Sequence, residues 1–445
     1  MKARYSPVSL WFRLRATYWF VPSLMTLGAI ALALLMTASD RRSWADGWLT
    51  AWVYSGGADG ARALLSAVAG SMITVVSLTF SVTIVALTVT SQHFGPRLLN
   101  SFMRDLVAQV VLGAFIGTFA YCLLVLRTVQ VEGNGRPLFV PHLAVTVSVG
   151  LTLLSVAALI AFIHHISVAM QVSTITTGIA RDLRDAIERL YPERIGAGLG
   201  TVSEPREAAP QPPSSAVRVE STTSGYVQGI DPASLMTLAR RHDVTIWIDA
   251  EPGAFVVAGQ PLVRVLPAAA DPEKFARAVN DLFVLGHDRT TEQDAGFAIQ
   301  QLVEVALHAL SPGMNEPFTA ITCIDRLGEG LALLATRPLP SPARCDEDKR
   351  VRVVASPPAF DVMISEALTP IGLFAGPNPA VHHRLLDTLA LLARAARQPG
   401  VIPAVRSQAH AVWRQVERDV EDEAHRMALR ERYLGVLAAA DERQP

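Results

Sequence analysis

Residues 63–96 read ALLSAVAGSMITVVSLTFSVTIVALTVTSQHFGP, 34 consecutive positions without Asp, Glu, Lys or Arg. A helix that crosses a bilayer needs about 20 mostly apolar residues, and a charge at its centre costs roughly 2.5–3.5 kcal/mol on insertion scales. The run exceeds that length and lacks the apolar/polar alternation of a strand. Three more charge-free windows lie around it: Ala16–Ser39 (24 residues), Leu106–Leu126 (21) and Pro137–Ala180 (44). One such window is compatible with a buried helix of a soluble protein. Four in succession predict membrane helices near 19–38, 66–90, 106–127 and 141–163.

Composition agrees. Half of the 445 residues are hydrophobic and 18% are charged, against about 25% charged in an ordinary soluble domain. A formal net charge of −1 argues against a nucleic-acid partner. Cys122, Cys323 and Cys345 are scattered without CxxC spacing, so neither a disulfide framework nor a zinc site is expected. No metal or cofactor is expected.

The first window is too long for a signal-peptide core of about 7–15 residues, and no small-residue cleavage site follows before Asp40. A retained anchor helix is the better reading. Lys2, Arg4, Arg13, Arg15, Arg97, Arg104, Arg181, Arg184 and Arg189 fall on one side of the predicted spans, and Arg41, Arg42, Arg62, Arg127 and Arg136 on the other. The positive-inside rule then places both termini in the cytoplasm.

Within the second span Gly70, Thr74, Ser77, Ser81 and Thr88 recur at helical spacing and give one face of small, hydroxylated residues. Such a face permits close helix packing, and it equally suits the lining of a water-filled path. Both readings stay open, and a helix at an oligomer axis satisfies both. No charge lies inside a span, which weakens proton-coupled transport. Gln92-His-Phe-Gly-Pro-Arg97 predicts a sharp helix stop and a hairpin into the third span. Gly113 and Gly117 of that span have GxxxG spacing. The neighbours His164 and His165 read as interfacial side chains rather than metal ligands. Ile179, Leu183, Ile187 and Leu190 then mark an amphipathic helix, read as a stalk over 166–192.

Residues 193–216 include EPREAAPQPPSS, the composition of a flexible linker. Strand-like segments follow at 217–220, 224–230, 244–249 and 253–266, with a short helix over 232–241 capped by Asp231. Ser224-Gly-Tyr-Val-Gln-Gly-Ile230 together with Pro252-Gly-Ala-Phe-Val-Val-Ala-Gly-Gln-Pro-Leu-Val-Arg-Val265 resembles the barrel-sandwich hybrid of lipoyl and biotinyl carriers and of efflux-pump adaptors. In carriers a lysine holds the prosthetic group. No lysine lies between Lys2 and Lys274, so the resemblance implies a structural, oligomerising or gating module at 217–267.

From Asp271 the pattern is helical: about 272–286, 292–310, 315–335, 360–373, 379–397 and 401–438, with a strand at 351–355. The run His287–Leu327 (HDRTTEQDAGFAIQQLVEVALHALSPGMNEPFTAITCIDRL) and residues 77–105 (SLTFSVTIVALTVTSQHFGPRLLNSFMRD) resemble a bacterial family of predicted membrane proteins catalogued as domain of unknown function 2254. The resemblance implies an inner-membrane location and supplies no catalytic residue. Ser311-Pro-Gly ends one helix, and Asn315 is expected to cap the next. Arg289, Asp294, Asn315, Asp325 and Arg326 are expected to gather at the ends of this hairpin, as a salt-bridged corner or as a site for an ion or small polar ligand.

GxxxxGK[ST] and GxSxG are absent, so no enzyme is expected. The chain reads as a mainly α integral membrane protein. Its expected parts are a four-helix transmembrane domain (1–165), the stalk, the linker, a small β barrel-sandwich-like module and a C-terminal cytoplasmic α-helical domain (271–445). The functional expectation is a homo-oligomeric channel or passive transport protein in the lipid bilayer. Thr74, Ser77, Ser81 and Thr88 are its candidate pore-lining or packing residues. The alternative is a membrane-anchored sensor or scaffold whose cytoplasmic part binds a ligand or partner protein.

Overall fold

The computed structural model describes residues 19–41, 54–94, 105–130, 138–191, 210–338, 340–355, 359–398 and 400–442. The chain divides into two compact units, Met1–Thr174 and Ile175–Pro445.

The first unit holds helices α1 (Phe20–Asp40), α2 (Ala58–Phe94), α3 (Leu106–Thr128) and α4 (His142–Ala169). All four are long and apolar enough to cross a membrane, with candidate spans of 21, 33, 23 and 28 residues. At 1.5 Å per residue even the shortest reaches about 32 Å, enough for a hydrocarbon core of about 30 Å. α3 is the most enclosed of the four, with Phe115, Tyr121, Cys122 and Val125 fully buried. Its Gly113 and Gly117 turn toward α1. A Cβ on Gly113 would come within 3.1 Å of Pro22 Cα, and one on Gly117 within 3.3 Å of the Ala29 Cβ. Small residues at one helical repeat thus bring two backbones together, the geometry expected where lipid supplies no hydrophobic drive between helices.

Polar groups fasten the helix ends. Asp40, at the end of α1, accepts from the Leu143 and Ala144 amides at 3.0 Å each. These amides belong to the open first turn of α4, whose own N-cap, Pro141, has no side chain to offer. The Tyr121 hydroxyl donates to the Ala144 carbonyl at 3.0 Å, and Arg62 of α2 donates to the Val129 carbonyl at 3.1 Å. Asp105 caps α3 through the Val107 amide. The predicted stop at Gly95-Pro96-Arg97 and the hairpin loop lie outside the described residues.

α4 ends at Ala169, and α5 (Val172–Leu190) begins after a two-residue break. α5 was expected as a stalk. Its apolar face is instead part of the second unit's core: Leu183 and Ile187 are buried against Gly330, where a Cβ would lie 3.0 Å from Leu183 Cγ. Of the predicted linker, residues 193–209 lie outside the described residues. Its described end, from Pro210, leads into β1 of the same unit.

The barrel-sandwich expectation is corrected by the strand pairing. β1 (Val217–Glu220), β5 (Pro261–Leu266), β3 (Thr245–Ile248), β8 (Val351–Val354) and β7 (Ala343–Cys345) form one open sheet in that order. β4 (Phe255–Val256), β2 (Gly225–Ile230) and β6 (Phe283–Gly286) form a second. Neither closes. Two strands of the first sheet come from beyond residue 340, and β3 pairs with β8 in parallel, a long-range pairing that local patterning cannot reveal. α6 (Pro232–Arg241), capped by Asp231, and α7 (Pro272–Leu282) join Ile246, Leu262, Val265 and Phe283 in one core. The helix read over 272–286 ends at Leu282, and Phe283-Val-Leu-Gly286 pairs with β2 instead. Aromatic and β-branched side chains suit that half-buried edge.

The remaining helices are α8 (Ala295–Ala309), α9 (Pro317–Thr336), α10 (Phe360–Ala375), α11 (Pro379–Ala395), α12 (Val401–Asp419) and α13 (Glu423–Asp441). The helix read as continuous over 401–438 breaks at Val420-Glu421-Asp422, where Asp422 caps α13 by accepting from the His425 amide. Asn315 does not cap α9. The N-cap is Glu316, and Asn315 sits one residue earlier at φ +49°, in the turn that follows α8.

Candidate functional site

Two groups of polar residues were candidates, one in each unit. On α2 each hydroxyl of the predicted row bonds back to the carbonyl one turn earlier: Thr74 to Gly70 (3.2 Å), Ser77 to Ile73 (3.1 Å), Ser81 to Ser77 (2.9 Å) and Thr88 to Ile84 (2.9 Å). This is the usual local bond of Ser and Thr inside a helix, and it satisfies the donor while leaving the oxygen able to accept. Thr74, Ser77, Ser81 and Thr88 are all exposed in the single chain. The helix turns Met72, Thr79, Ala86 and Thr90 toward its own bundle instead. The hydroxyl row therefore faces away from the other three helices, amid the exposed apolar side chains Ile73, Leu78, Phe80, Ile84 and Val85.

At the boundary of the same unit, His165 Nε2 lies 2.6 Å from Asp105 Oδ2, joining the end of α4 to the cap of α3. Sequence spacing does not relate two residues 60 positions apart.

In the second unit the predicted corner separates into three places. Arg289 and Asp294 do meet. Arg289 donates from Nε (2.8 Å) and Nη2 (2.6 Å) to Asp294 Oδ2, and from Nη1 to Gln300 Oε1 (2.6 Å), with its guanidinium over the Phe297 ring. Asp294 uses its other oxygen to cap α8 through the Phe297 amide at 3.1 Å. Asn315 lies beyond the far end of α8. Fifteen helical residues separate the two, about 22 Å, so the expected gathering is corrected. Asp325 and Arg326 sit midway along α9: Asp325 pairs with Arg384 of α11 at 3.3 Å, and Arg326 contacts Glu329 at 3.2 Å and Thr177 of α5 at 3.1 Å.

Around the Arg289–Asp294 pair the fold adds residues the sequence did not single out. Gly253, at φ +90°, leaves no room for a Cβ beside Asp294 and Arg289. Gln293 lies along Ile230 of β2 as an extra strand would, accepting from its amide (3.0 Å) and donating to its carbonyl (2.9 Å). Burial raises the Asp294 carboxyl above the usual carboxylate range despite its arginine, and burial raises Glu251 as well. The Tyr191 hydroxyl is pushed up to about 12, by burial first and then by the charges of Glu251 and Asp294. Only the polar run 286–294 (GHDRTTEQD) hinted at this; Glu251 and Tyr191 reach it through tertiary folding alone. Arg289 is committed to partners within the chain, which makes the pair a clasp for the start of α8. Among the described residues no group of three His, Cys, Asp or Glu side chains is placed to hold a metal ion.

The sequence profile of the family described as "Predicted membrane protein (DUF2254)" matches residues 15–391. The chain belongs to that family. Uncharacterized protein Mb1321c of Mycobacterium bovis and uncharacterized protein Rv1290c of Mycobacterium tuberculosis are each 33% identical to it over 398 residues, covering 88% of this chain and 74% of each relative. No solved structure matches the chain. The family description agrees with four apolar helices of membrane-spanning length.

Proposed function

We propose that this DUF2254 protein is a non-enzymatic, homo-oligomeric channel or passive transport protein of the bacterial inner membrane, with both termini in the cytoplasm. The observation that carries the reading is the outward hydroxyl row of Thr74, Ser77, Ser81 and Thr88, exposed on α2 and each bonded to one of the helix's own carbonyls. Apolar lipid gains nothing from such a row. Copies of α2 brought together around an axis give it a purpose, since each oxygen can accept from water or coordinate a permeating ion. The C-terminal unit then serves as the regulatory part.

Reconstitution in liposomes tests this. An ion flux is expected that Ser77→Leu or Ser81→Leu abolishes without loss of the folded protein. A monodisperse monomer, or liposomes without flux, would defeat the channel reading. That outcome would favour a membrane-anchored sensor or scaffold, a role supported by the separately packed core of the C-terminal unit.

A further inference from the structure

β3 occupies the centre of the five-stranded sheet, and its side chains alternate between the two faces. Ile246 is fully buried in the core, beside its cross-strand neighbours Val265 and Val353. Trp247 therefore lies on the opposite face, flanked by Arg264 of β5 and Val354 of β8. An indole on an outer sheet face is a large apolar surface whose N–H needs an acceptor. Yet Trp247 is only 9% exposed.

Its cover is the chain's own Pro210-Gln-Pro-Pro213. Trp247 Nε1 donates to the Pro210 carbonyl at 2.8 Å. The conformation of this segment is dictated by its sequence. Proline fixes φ near −65°, and Gln211 and Pro212, each preceding a proline, are steered away from the α region, which leaves polyproline II. That helix has no internal hydrogen bonds, so its carbonyls accept from outside. An aromatic surface that receives such a segment is the means by which peptide-binding modules recognise proline-rich ligands.

The internal ligand fits incompletely. A cavity of about 110 Å³ remains between Pro210 and Pro212 on one side and Trp247, Ile248, Asp249 and Val354 on the other. One water needs roughly 10–15 Å³ of such space, so the gap accommodates a further side chain. The carboxylate at its rim is already satisfied: Asp249 is held by Arg264 through three contacts of 2.7–3.0 Å. Selection at the site rests on the shape and carbonyls of the ligand rather than on charge.

We propose that the Trp247 face is a binding site for a proline-rich segment of a partner protein, kept closed by Pro210–Pro213 acting as an internal competitor. The competitor is joined directly to β1, which begins at Val217, so its effective concentration is high, on the order of millimolar. A ligand in trans must displace it.

The test uses the full-length chain in detergent and a fluorescent peptide of residues 204–216 (EPREAAPQPPSSA). The double variant Pro210→Gly/Pro212→Gly should bind the peptide, by anisotropy, at least roughly tenfold more tightly than the wild type. A peptide with alanine in place of Pro210, Pro212 and Pro213 should not bind. Adding Trp247→Phe, which keeps the ring and removes the donor, should weaken binding by roughly tenfold. The milder Pro212→Ala serves in case the double variant does not fold. Absence of binding by whichever of the two folds overturns the proposal. So does binding that is indifferent to Trp247→Phe.

Discussion

Pro22 of α1 and Gly113 of α3 meet backbone to backbone: the Pro22 Cα lies 3.1 Å from where a Cβ on Gly113 would stand. The contact sets the separation of the first and third membrane helices, and Gly117 against Ala29 continues it one turn further on. Gly113→Leu is therefore expected to force α1 away and destabilise the first unit by about 1–3 kcal/mol, the usual cost of overpacking. Thermal loss of the monodisperse species in detergent measures it. A variant as heat-stable as the wild type would mean that the two helices are not held by this approach.

Asp40 closes the open amides of α4 from another helix. Asp40→Ala should cost about 0.5–2 kcal/mol, as for the loss of any helix cap, and Asp40→Asn less, because its amide oxygen still accepts. The ranking of the two variants in the same thermal assay is the check. Equal losses would point to the charge rather than the hydrogen bonds.

Arg289→Ala should be more damaging than Asp294→Asn. The first leaves a buried carboxylate without its partner, a loss of roughly 3–5 kcal/mol where a buried pair is broken on one side. The second removes the charge yet keeps an oxygen for the Phe297 amide, which Asp294 caps at 3.1 Å. Chemical denaturation followed by far-ultraviolet circular dichroism distinguishes the two.

His382 on α11 is fully buried, and its Nε2 lies 2.9 Å from the Gly376 carbonyl. A carbonyl only accepts, so Nε2 carries the hydrogen. Among the described residues its Nδ1 has no partner. Burial lowers the pKa of this imidazole, against the smaller raising effects of the Gly376 bond and Asp419. The unfolded chain, with an ordinary imidazole near 6.5, then binds more protons below that pH than the folded one. Stability from this group is complete above about pH 6.5 and falls as the pH drops below it. His382→Gln should flatten that dependence between about pH 6.5 and 5. An unchanged pH slope in the variant would assign the effect elsewhere, with the similarly lowered His383 as the next group to replace.

Much of the membrane unit was legible because its determinants are local. An uncharged run of 34 residues has few alternatives to a membrane helix, and hydroxyl spacing on α2 follows from 3.6 residues per turn alone. Asp231 and Pro232 likewise announce the start of α6. The β region was less legible. Short strands with glycine turns fit several closed and open arrangements, and β8 joins β3 from about a hundred residues away. The polar corner misled for a related reason. Residues near one another in a helical hairpin's sequence lie at its opposite ends once α8 extends between them.

The sequence by itself determined where lipid can be tolerated, since the cost of burying charge is paid residue by residue along a helix. Only the tertiary structure decided which faces of those helices meet, that α5 packs into the second unit, that Arg289 is spoken for, and that Trp247 is covered by Pro210. Each of these depends on surfaces distant in the chain coming together, and no local preference specifies which partner a side chain finds.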